Sequence, residues 1–254
     1  NSVTHIGDCA FGFCGSLESI TIPASVKEVK GNPFCRWHGE LINKSPYFTY
    51  EDYVLFSKNK DKLIAFRQQN ATSYVIPVGF THICDHAFSG CGLLESITIS
   101  GSVASIGYGA FWWCKSLIGI EIPDSVTSIG DYAFGKCFSL TNIIIPVSVT
   151  SIGDHAFYDC SSLTSVTIPD SVTSIGDWAF KDCSSLTSIA IPDSVMSVGD
   201  GAFEGCSSLK SITIPDSVKS VGESAFYDCS SLSVETKAEI ERRFGQNLFK
   251  PWWA

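Results

Sequence analysis

Apolar residues recur along most of the chain with a fixed period of 23 residues. The clearest copy runs from Leu163 to Ser185, and close variants of it begin at Leu186 and Leu209. A repeat of this length is typical of a solenoid, in which each coil buries its apolar side only against its neighbours. The sequence therefore predicts one elongated domain of stacked coils.

The first half of each repeat has the alternation of a short strand. In the clearest copy, Leu163, Val166 and Ile168 are expected to face inward, while Ser165 and Thr167 face outward. A proline closes this segment, because it lacks the N–H group that a strand ladder needs. These prolines are Pro123, Pro146, Pro169, Pro192 and Pro215.

The second half of each repeat predicts a corner. It contains a glycine column (Gly107, Gly130, Gly153, Gly176, Gly199 and Gly222), an aspartate column (Asp131, Asp154, Asp177 and Asp200) and a phenylalanine column from Phe88 to Phe226. The glycines indicate either a positive φ or a crowded backbone. The aspartates are expected to cap a short turn that ends in Ala-Phe, and the phenylalanines to form the largest buried group of each coil.

Eight of the eleven cysteines share one repeat position, namely Cys14, Cys91, Cys114, Cys137, Cys160, Cys183, Cys206 and Cys229. In a stack they would form a column with neighbours about 5 Å apart. Parallel side chains have poor geometry for disulfides, so we expect small buried thiols that fill the core. Disulfides between some of them and metal binding are the alternatives, and the cysteine content therefore leaves the redox compartment open.

The period fails once, between Cys14 and Cys91. These two residues are 77 positions apart, which is three periods and eight further residues. We predict N-terminal repeats over residues 1–42 and an inserted β-hairpin over 43–73, because two aromatic-rich apolar runs there flank a charged turn at residues 57–62. Regular repeats follow over residues 74–234. The chain opens in the middle of a repeat, so we expect any signal peptide to lie upstream of it.

The pattern stops after Leu232, and residues 235–254 are predicted to form a helical cap. Thr236 and Glu239 have the spacing of a capping box, which predicts a helix over residues 236–244. Apolar residues of this segment are expected to cover the open end of the stack. They are Ile240, Phe244, Leu248, Phe249, Trp252 and Trp253. A partner-binding tryptophan tail is the alternative.

Charge and hydropathy exclude two classes of partner. The chain carries 26 acidic and 17 basic residues, with a net charge of −9. This balance argues against binding to nucleic acid or to an anionic membrane surface. No apolar run approaches the roughly 18 residues of a membrane helix, so no membrane insertion is expected.

No arrangement typical of catalysis or metal binding stands out. The segment from His82 to His86 contains two histidines, a cysteine and an aspartate, but Ile83 is an inward position and no second cluster completes a site. His86 and His155 share a repeat position, which indicates variation at exposed sites. The sequence predicts no enzyme, no cofactor and no metal site, and a calcium ladder on the aspartate columns is the weaker alternative.

The segment from Ile168 to Leu186 resembles the BspA-type leucine-rich repeat family in its Ile-Pro-Asp-Ser-Val-Thr-Ser-Ile-Gly-Asp-Trp-Ala-Phe-Lys-Asp-Cys-Ser-Ser-Leu. The resemblance implies an α/β repeat solenoid that is mostly strand and loop, curved and right-handed, with a parallel β-sheet face. It also implies a secreted or cell-surface protein, in many cases an adhesin. The family is functionally heterogeneous and offers no residue motif that transfers to this chain.

Two surfaces are candidates for partner binding. Aromatic residues at the variable corner are Trp112, Trp113, Tyr132, His155 and Trp178, and outward residues of the strand face are Glu121, Thr167 and Thr213. Corner aromatics are typical binding anchors, although packing along the convex edge explains them equally well. Small residues on the strand face need no function beyond solubility.

We therefore expect a monomeric extracellular or cell-surface recognition module that binds a host or cell-surface protein or glycan. The alternative is a structural spacer or stalk without a ligand of its own. Stacking of the open N-terminal coil against another chain is an alternative to the monomer.

Overall fold

The computed structural model describes residues 2–251 and 253. The chain forms a β-solenoid of about nine turns, mostly strand and loop, as predicted. The strands in chain order are β1 His5–Ile6, β2 Ser19–Ile22, β3 Glu28–Val29, β4 Glu40–Asn43, β5 Phe48–Glu51, β6 Val54–Ser57, β7 Lys62–Phe66, β8 Ser73–Val75, β9 His82–Ile83, β10 Ser96–Thr98, β11 Ser105–Ile106, β12 Gly119–Glu121, β13 Ser128–Ile129, β14 Asn142–Ile144, β15 Ser151–Ile152, β16 Ser165–Thr167, β17 Ser174–Ile175, β18 Ser188–Ala190, β19 Ser197–Val198, β20 Ser211–Thr213 and β21 Ser220–Val221.

Each coil contributes one strand to each of two parallel columns. The first column comprises the sheets β2-β4, β8-β10-β12-β14-β16 and β18-β20, and the second comprises β1-β3, β7-β9-β11-β13 and β15-β17-β19-β21. Partners in the regular region are one period apart, as in Ser96 with Gly119 and Ser105 with Ser128. Every residue therefore lies beside its own counterpart in the next coil.

The predicted inward and outward positions are confirmed. Leu163, Val166 and Ile168 are buried, whereas Ser165 and Thr167 are exposed. The phenylalanines from Phe88 to Phe226 are fully buried, and their rings stack with centroids 5.1 to 5.6 Å apart. Buried aromatic rings at this separation stabilise the stack beyond the area that they remove from water.

The cysteine column is a row of buried thiols from Cys91 to Cys229. Each thiol from Cys114 onward donates to a phenylalanine carbonyl of the preceding coil, as Cys160 does to Phe134 at 3.1 Å. Burial raises the pKa of Cys91 to about 12, so its reactive thiolate is scarce at neutral pH.

The expectation of burial is wrong for Cys14, which is exposed. In the next coil the buried Trp37 indole holds the corresponding position and donates to the Leu17 carbonyl at 2.6 Å. This indole fills the space that a row of thiols would occupy. A disulfide joins Cys9 to Cys35, and the sequence pattern did not reveal it because both residues lie outside the column.

The aspartate column ties coils together instead of capping its own turns. Asp154 Oδ1 accepts the backbone N–H of Asp177 at 2.8 Å, and the same bond recurs along the column. The predicted cap within one coil is wrong, because stacking places the equivalent amide of the following coil within reach. Each carboxylate satisfies a backbone donor that has no strand partner.

Crowding, and not a positive φ, explains the glycine column. Gly176 lies outside the left-handed region, but a Cβ atom there would lie 2.5 Å from Asp154 Oδ1 and 2.7 Å from the Asp154 nitrogen. The left-handed residue comes two positions later, at Trp178 with φ 51°. The hydrogen bond from the Asp177 N–H to Asp154 therefore requires a glycine at position 176.

The insertion contains three strands, one more than the predicted hairpin. Strands β6 and β7 pair antiparallel around the charged turn, as expected, and β5 adds to β6. Leu55 and Ile64 pack in an N-terminal core, whereas Val54, Phe56 and Leu63 pack in the main core. The inserted sheet is thus buried on both faces and separates the two cores.

The C-terminal cap is an α-helix over Val234–Phe244 followed by a 3₁₀ turn over Gln246–Phe249. The helix begins earlier than predicted, because Ser233 caps it by accepting the Thr236 N–H at 3.1 Å. Ile240 and Leu248 are buried against the main core, which confirms the capping role. Trp252 lies outside the described residues, and Trp253 is exposed.

Among the described residues, no helix has the length and hydropathy needed to cross a membrane.

The crowding at the glycine column predicts a selective loss of stability. Replacing Gly176 with Ala should lower the free energy of unfolding by about 1–3 kcal/mol, because the added methyl group displaces the Asp154 bond. The matched control is Gly101→Ala, where a Cβ atom meets nothing within 4 Å. Urea titrations of both variants measure the difference, and equal effects would contradict the explanation.

Candidate recognition surface

One corner of the solenoid carries a continuous set of aromatic rings, which we call the aromatic corner. Its members are His86, Tyr108, Trp112, Tyr132, His155, Tyr158 and Trp178, each in contact with at least one other. The Tyr132 and His155 rings stack 4.2 Å apart with an angle of 9° between their planes. The Trp178 ring follows at 5.0 Å. Stacked coils thus turn variable sequence positions into one surface.

Trp112 joins this ladder, but Trp113 does not. The Trp112 ring lies 5.2 Å from Tyr132, whereas Trp113 faces the other way, with the Arg36 guanidinium 4.7 Å above its ring. The Lys136 ammonium lies 4.9 Å from the Trp113 ring and 5.8 Å from the Trp112 ring. A lysine therefore connects the two tryptophans through cation–π contacts.

The backbone fixes the direction of these rings. Tyr132, His155 and Trp178 all adopt left-handed φ values between 51° and 57°, an uncommon conformation for large residues. The Trp178 indole leans over the next coil, where a Cβ atom at Gly201 would lie 2.5 Å from it. A glycine one period after the ring thus gives the ring its space.

The rings of the aromatic corner are half-buried for the most part, which differs from the exposed anchors expected from sequence. The reason is that each large ring covers its neighbour. A shallow cavity of about 350 Å³ remains between Tyr132, His155, Tyr158, Trp178 and Lys181. The corner therefore combines packed rings with an accessible aromatic concavity.

An ion pair anchors the lysine that borders this concavity. The Lys181 ammonium lies 2.9 Å from Glu204 Oε1, and Glu204 is only 6% exposed. Glu204 therefore holds the Lys181 ammonium at the rim, since a buried carboxylate is stable only when it is paired.

His155 is held neutral inside the ladder. Burial is the main cause that lowers its pKa, the Asp154 carboxylate opposes this shift, and the Lys181 ammonium adds to it. Its Nδ1 is buried and has no hydrogen-bond partner among the described residues. The imidazole therefore acts here as a flat, uncharged ring at neutral pH.

The strand-face candidates lie apart from the aromatic corner. Glu121, Thr167 and Thr213 are exposed, and Glu121 pairs with Ile144, which in turn pairs with Thr167. Glu121 also borders a depression of about 640 Å³ together with Asn142. Thr213 belongs to the separate sheet of β18 and β20. These three residues do not converge on one site.

The expectation that these histidines vary at exposed positions is wrong, because His155 is half-buried and so is His86. The His86 side chain is 16% exposed, and its Nε2 lies 3.4 Å from Asp8 Oδ2. The first corner covers this ring, which the sequence could not show because the two residues are far apart along the chain.

Lys136 and Lys181 are surface residues that the sequence interpretation missed. The sequence does contain a pattern that marks the surrounding surface, namely a ring-bearing residue followed by a glycine 23 positions later. It occurs at His86 with Gly109, Trp112 with Gly135, and Trp178 with Gly201. In each pair a Cβ atom on the glycine would collide with the ring. Such pairs mark large side chains that lean across coils.

The chain belongs to the BspA type leucine rich repeat family. The family model matches residues 1–61, 62–187 and 174–251. The fold is also that of a leucine-rich repeat protein from Eubacterium ventriosum, with a TM-score of 0.80 and 28% identity over 92% of this chain. The chain spans 63% of the length of that protein.

Two further solved structures are similar. The leucine rich repeat protein of T. pallidum has a TM-score of 0.70 and 32% identity, over 80% of this chain and 97% of its own. The pneumococcal vaccine antigen PcpA shares the fold, with a TM-score of 0.56 and 22% identity over 98% of this chain and 59% of its own. No curated protein gives a significant match.

The lowered pKa of His155 predicts a loss of stability in acid. Because the folded pKa lies below that of an unfolded histidine, near 6.5, this contribution is complete above pH 6.5 and is lost as the pH falls further. His155→Asn removes the titration and suits a left-handed backbone. Thermal unfolding of both proteins at pH 7.5 and pH 5 should show a smaller acid effect in the variant, and equal pH dependence would contradict the assignment.

Proposed function

We propose that this chain is a non-enzymatic recognition module of the cell surface, and that it binds its partner through the aromatic corner. The single observation that carries the proposal is the half-buried ladder of stacked rings, from Tyr132 through His155 to Trp178, beside a concavity. Aromatic side chains held rigidly by their neighbours lose little entropy on binding. Such residues supply most of the energy at recognition surfaces.

A cell-surface glycan is the partner class that this geometry favours. The ring edges that border the concavity offer apolar surface to the C–H groups of a sugar, and the Lys181 ammonium offers hydrogen bonds to its hydroxyl groups. The cavity is shallow and small, which suits a few sugar units better than a protruding protein segment. A protein partner is the other outcome of the same experiment.

The strand face is a weaker candidate. Glu121, Thr167 and Thr213 are separated by small or apolar residues and share no concavity. The depression beside Glu121 lacks aromatic residues among those that line it. A solenoid meets partners on such faces, but here no cluster of anchors marks one.

Two observations support an extracellular location. Disulfides persist in oxidising compartments, and Cys9 and Cys35 form one. The free thiols of the column, from Cys91 to Cys229, are buried, so an oxidising medium has little access to them. Membership of a family with surface proteins agrees with both.

Removing rings from the corner should weaken binding without unfolding the chain. We expect Trp178→Asn and Trp112→Ala each to lower the affinity for a glycan found by array screening at least about tenfold. Asparagine is chosen at position 178 because it tolerates the left-handed backbone. Isothermal titration of the intact chain with the array hit gives the affinity.

The control is Tyr53→Asn, which removes an exposed aromatic residue with a similar left-handed φ of 60° in the turn between β5 and β6. It should leave the affinity unchanged. Loss of binding only in strand-face variants such as Glu121→Gln would contradict the aromatic corner as the binding site and assign binding to the strand face. Absence of any saturable binding to glycans or matrix proteins would contradict the proposal and favour a structural spacer without a ligand of its own.

A further inference from the structure

Three side chains from separate coils meet beside the first corner. They are Cys9, Cys35 and His86, and one sulfur or nitrogen atom from each lies within 4.8 Å of those of the other two. Cys35 is buried, whereas Cys9 and His86 are half-buried. The cluster is therefore close to solvent yet shielded on one side.

Further polar atoms lie beside these three side chains. Asp8 Oδ2 lies 3.4 Å from His86 Nε2, and His86 Nδ1 is buried without a hydrogen-bond partner in the described chain. The Cys35 sulfur lies 3.0 Å from the Asn32 carbonyl oxygen. Two sulfurs and an imidazole thus converge, and a carboxylate lies beside the imidazole.

We propose that reduction of the Cys9–Cys35 disulfide converts this cluster into a binding site for Zn²⁺. Two thiolates and one imidazole form a donor set that zinc binds in proteins, with water in the fourth position. The Asp8 carboxylate lies 3.4 Å from His86 Nε2 and would orient the imidazole. The thiols of the cysteine column are deeply buried, and no other group of this composition occurs among the described residues.

A dithiol or a phosphine can reduce the Cys9–Cys35 disulfide. A dithiol gives two electrons and two protons to the S–S bond, which breaks to leave two thiols, and the dithiol becomes a disulfide. A phosphine achieves the same with one water molecule and ends as the phosphine oxide. Zn²⁺ then replaces the two thiol protons, which pass to solvent.

The disulfide and the bound zinc ion would each cross-link the N-terminal end of the solenoid. The disulfide joins the first corner to the second coil, and a metal ion on the same sulfurs would add the His86 coil beyond the inserted sheet. The N-terminal core is the smaller of the two cores, so a link of either kind stabilises the end of the solenoid that needs it most. This inference is independent of the partner of the aromatic corner.

The test uses the full chain, reduced anaerobically with a phosphine and titrated with Zn²⁺ against a chromogenic chelator. We expect one Zn²⁺ per reduced chain and no zinc on these residues in the oxidised chain. Co²⁺ in place of Zn²⁺ should give thiolate-to-metal charge-transfer absorption and the d–d bands of a tetrahedral site. Absence of zinc binding by the reduced chain, or equal binding by the oxidised chain, would overturn the proposal.

Variants separate the ligands from their surroundings. His86→Asn, which keeps a residue suited to the φ of 55°, should weaken zinc binding at least about tenfold. Asp8→Asn should weaken it about 10- to 100-fold, and the controls Cys14→Ser and His82→Gln should leave it unchanged.

The oxidised forms of these variants retain the disulfide, so circular dichroism of those forms checks folding independently of zinc. Wild-type zinc affinity in His86→Asn would remove the histidine from the site and contradict the assignment.

Discussion

Each residue of the regular coils packs against the residue one period along the chain, which at the core positions is the same or a similar residue. Parallel register enforces this condition, since Ser105 pairs with Ser128 and Ile106 with Ile129. Phenylalanine meets this condition by stacking ring on ring, and cysteine by donating its S–H to a carbonyl of the preceding coil.

Aspartate satisfies the same constraint in a less obvious way. Stacked carboxylates repel one another, yet each accepts the amide of the next coil and so compensates for the repulsion. The close approach leaves no room for a Cβ atom at Gly176. The large rings of the aromatic corner follow a related rule, because Trp178 occupies space that the glycine at position 201 leaves free. The candidate recognition residues thus occur where a coil departs from its neighbours.

Much of the fold was predictable from the sequence, because a fixed period states which residues become neighbours. The buried leucines, the buried thiols from Cys91 onward and the C-terminal cap followed from spacing alone. The third inserted strand and the Cys9–Cys35 disulfide did not, since they join segments outside the periodic register. For the site, sequence identified Trp112, Tyr132, His155 and Trp178, but not their mutual burial, which depends on how far each ring leans across coils.

Native-state hydrogen exchange of an Asp154→Ala variant tests most directly whether bonds between coils hold the solenoid together. The Asp177 amide donates to this carboxylate at 2.8 Å. We predict that the variant loses protection at Asp177, in the following coil, by an amount equivalent to about 0.5–2 kcal/mol. The turn containing Asp154 itself should stay protected. Unchanged exchange at Asp177, with loss confined to the turn of Asp154, would show that the aspartates act within their own coils and would contradict this account.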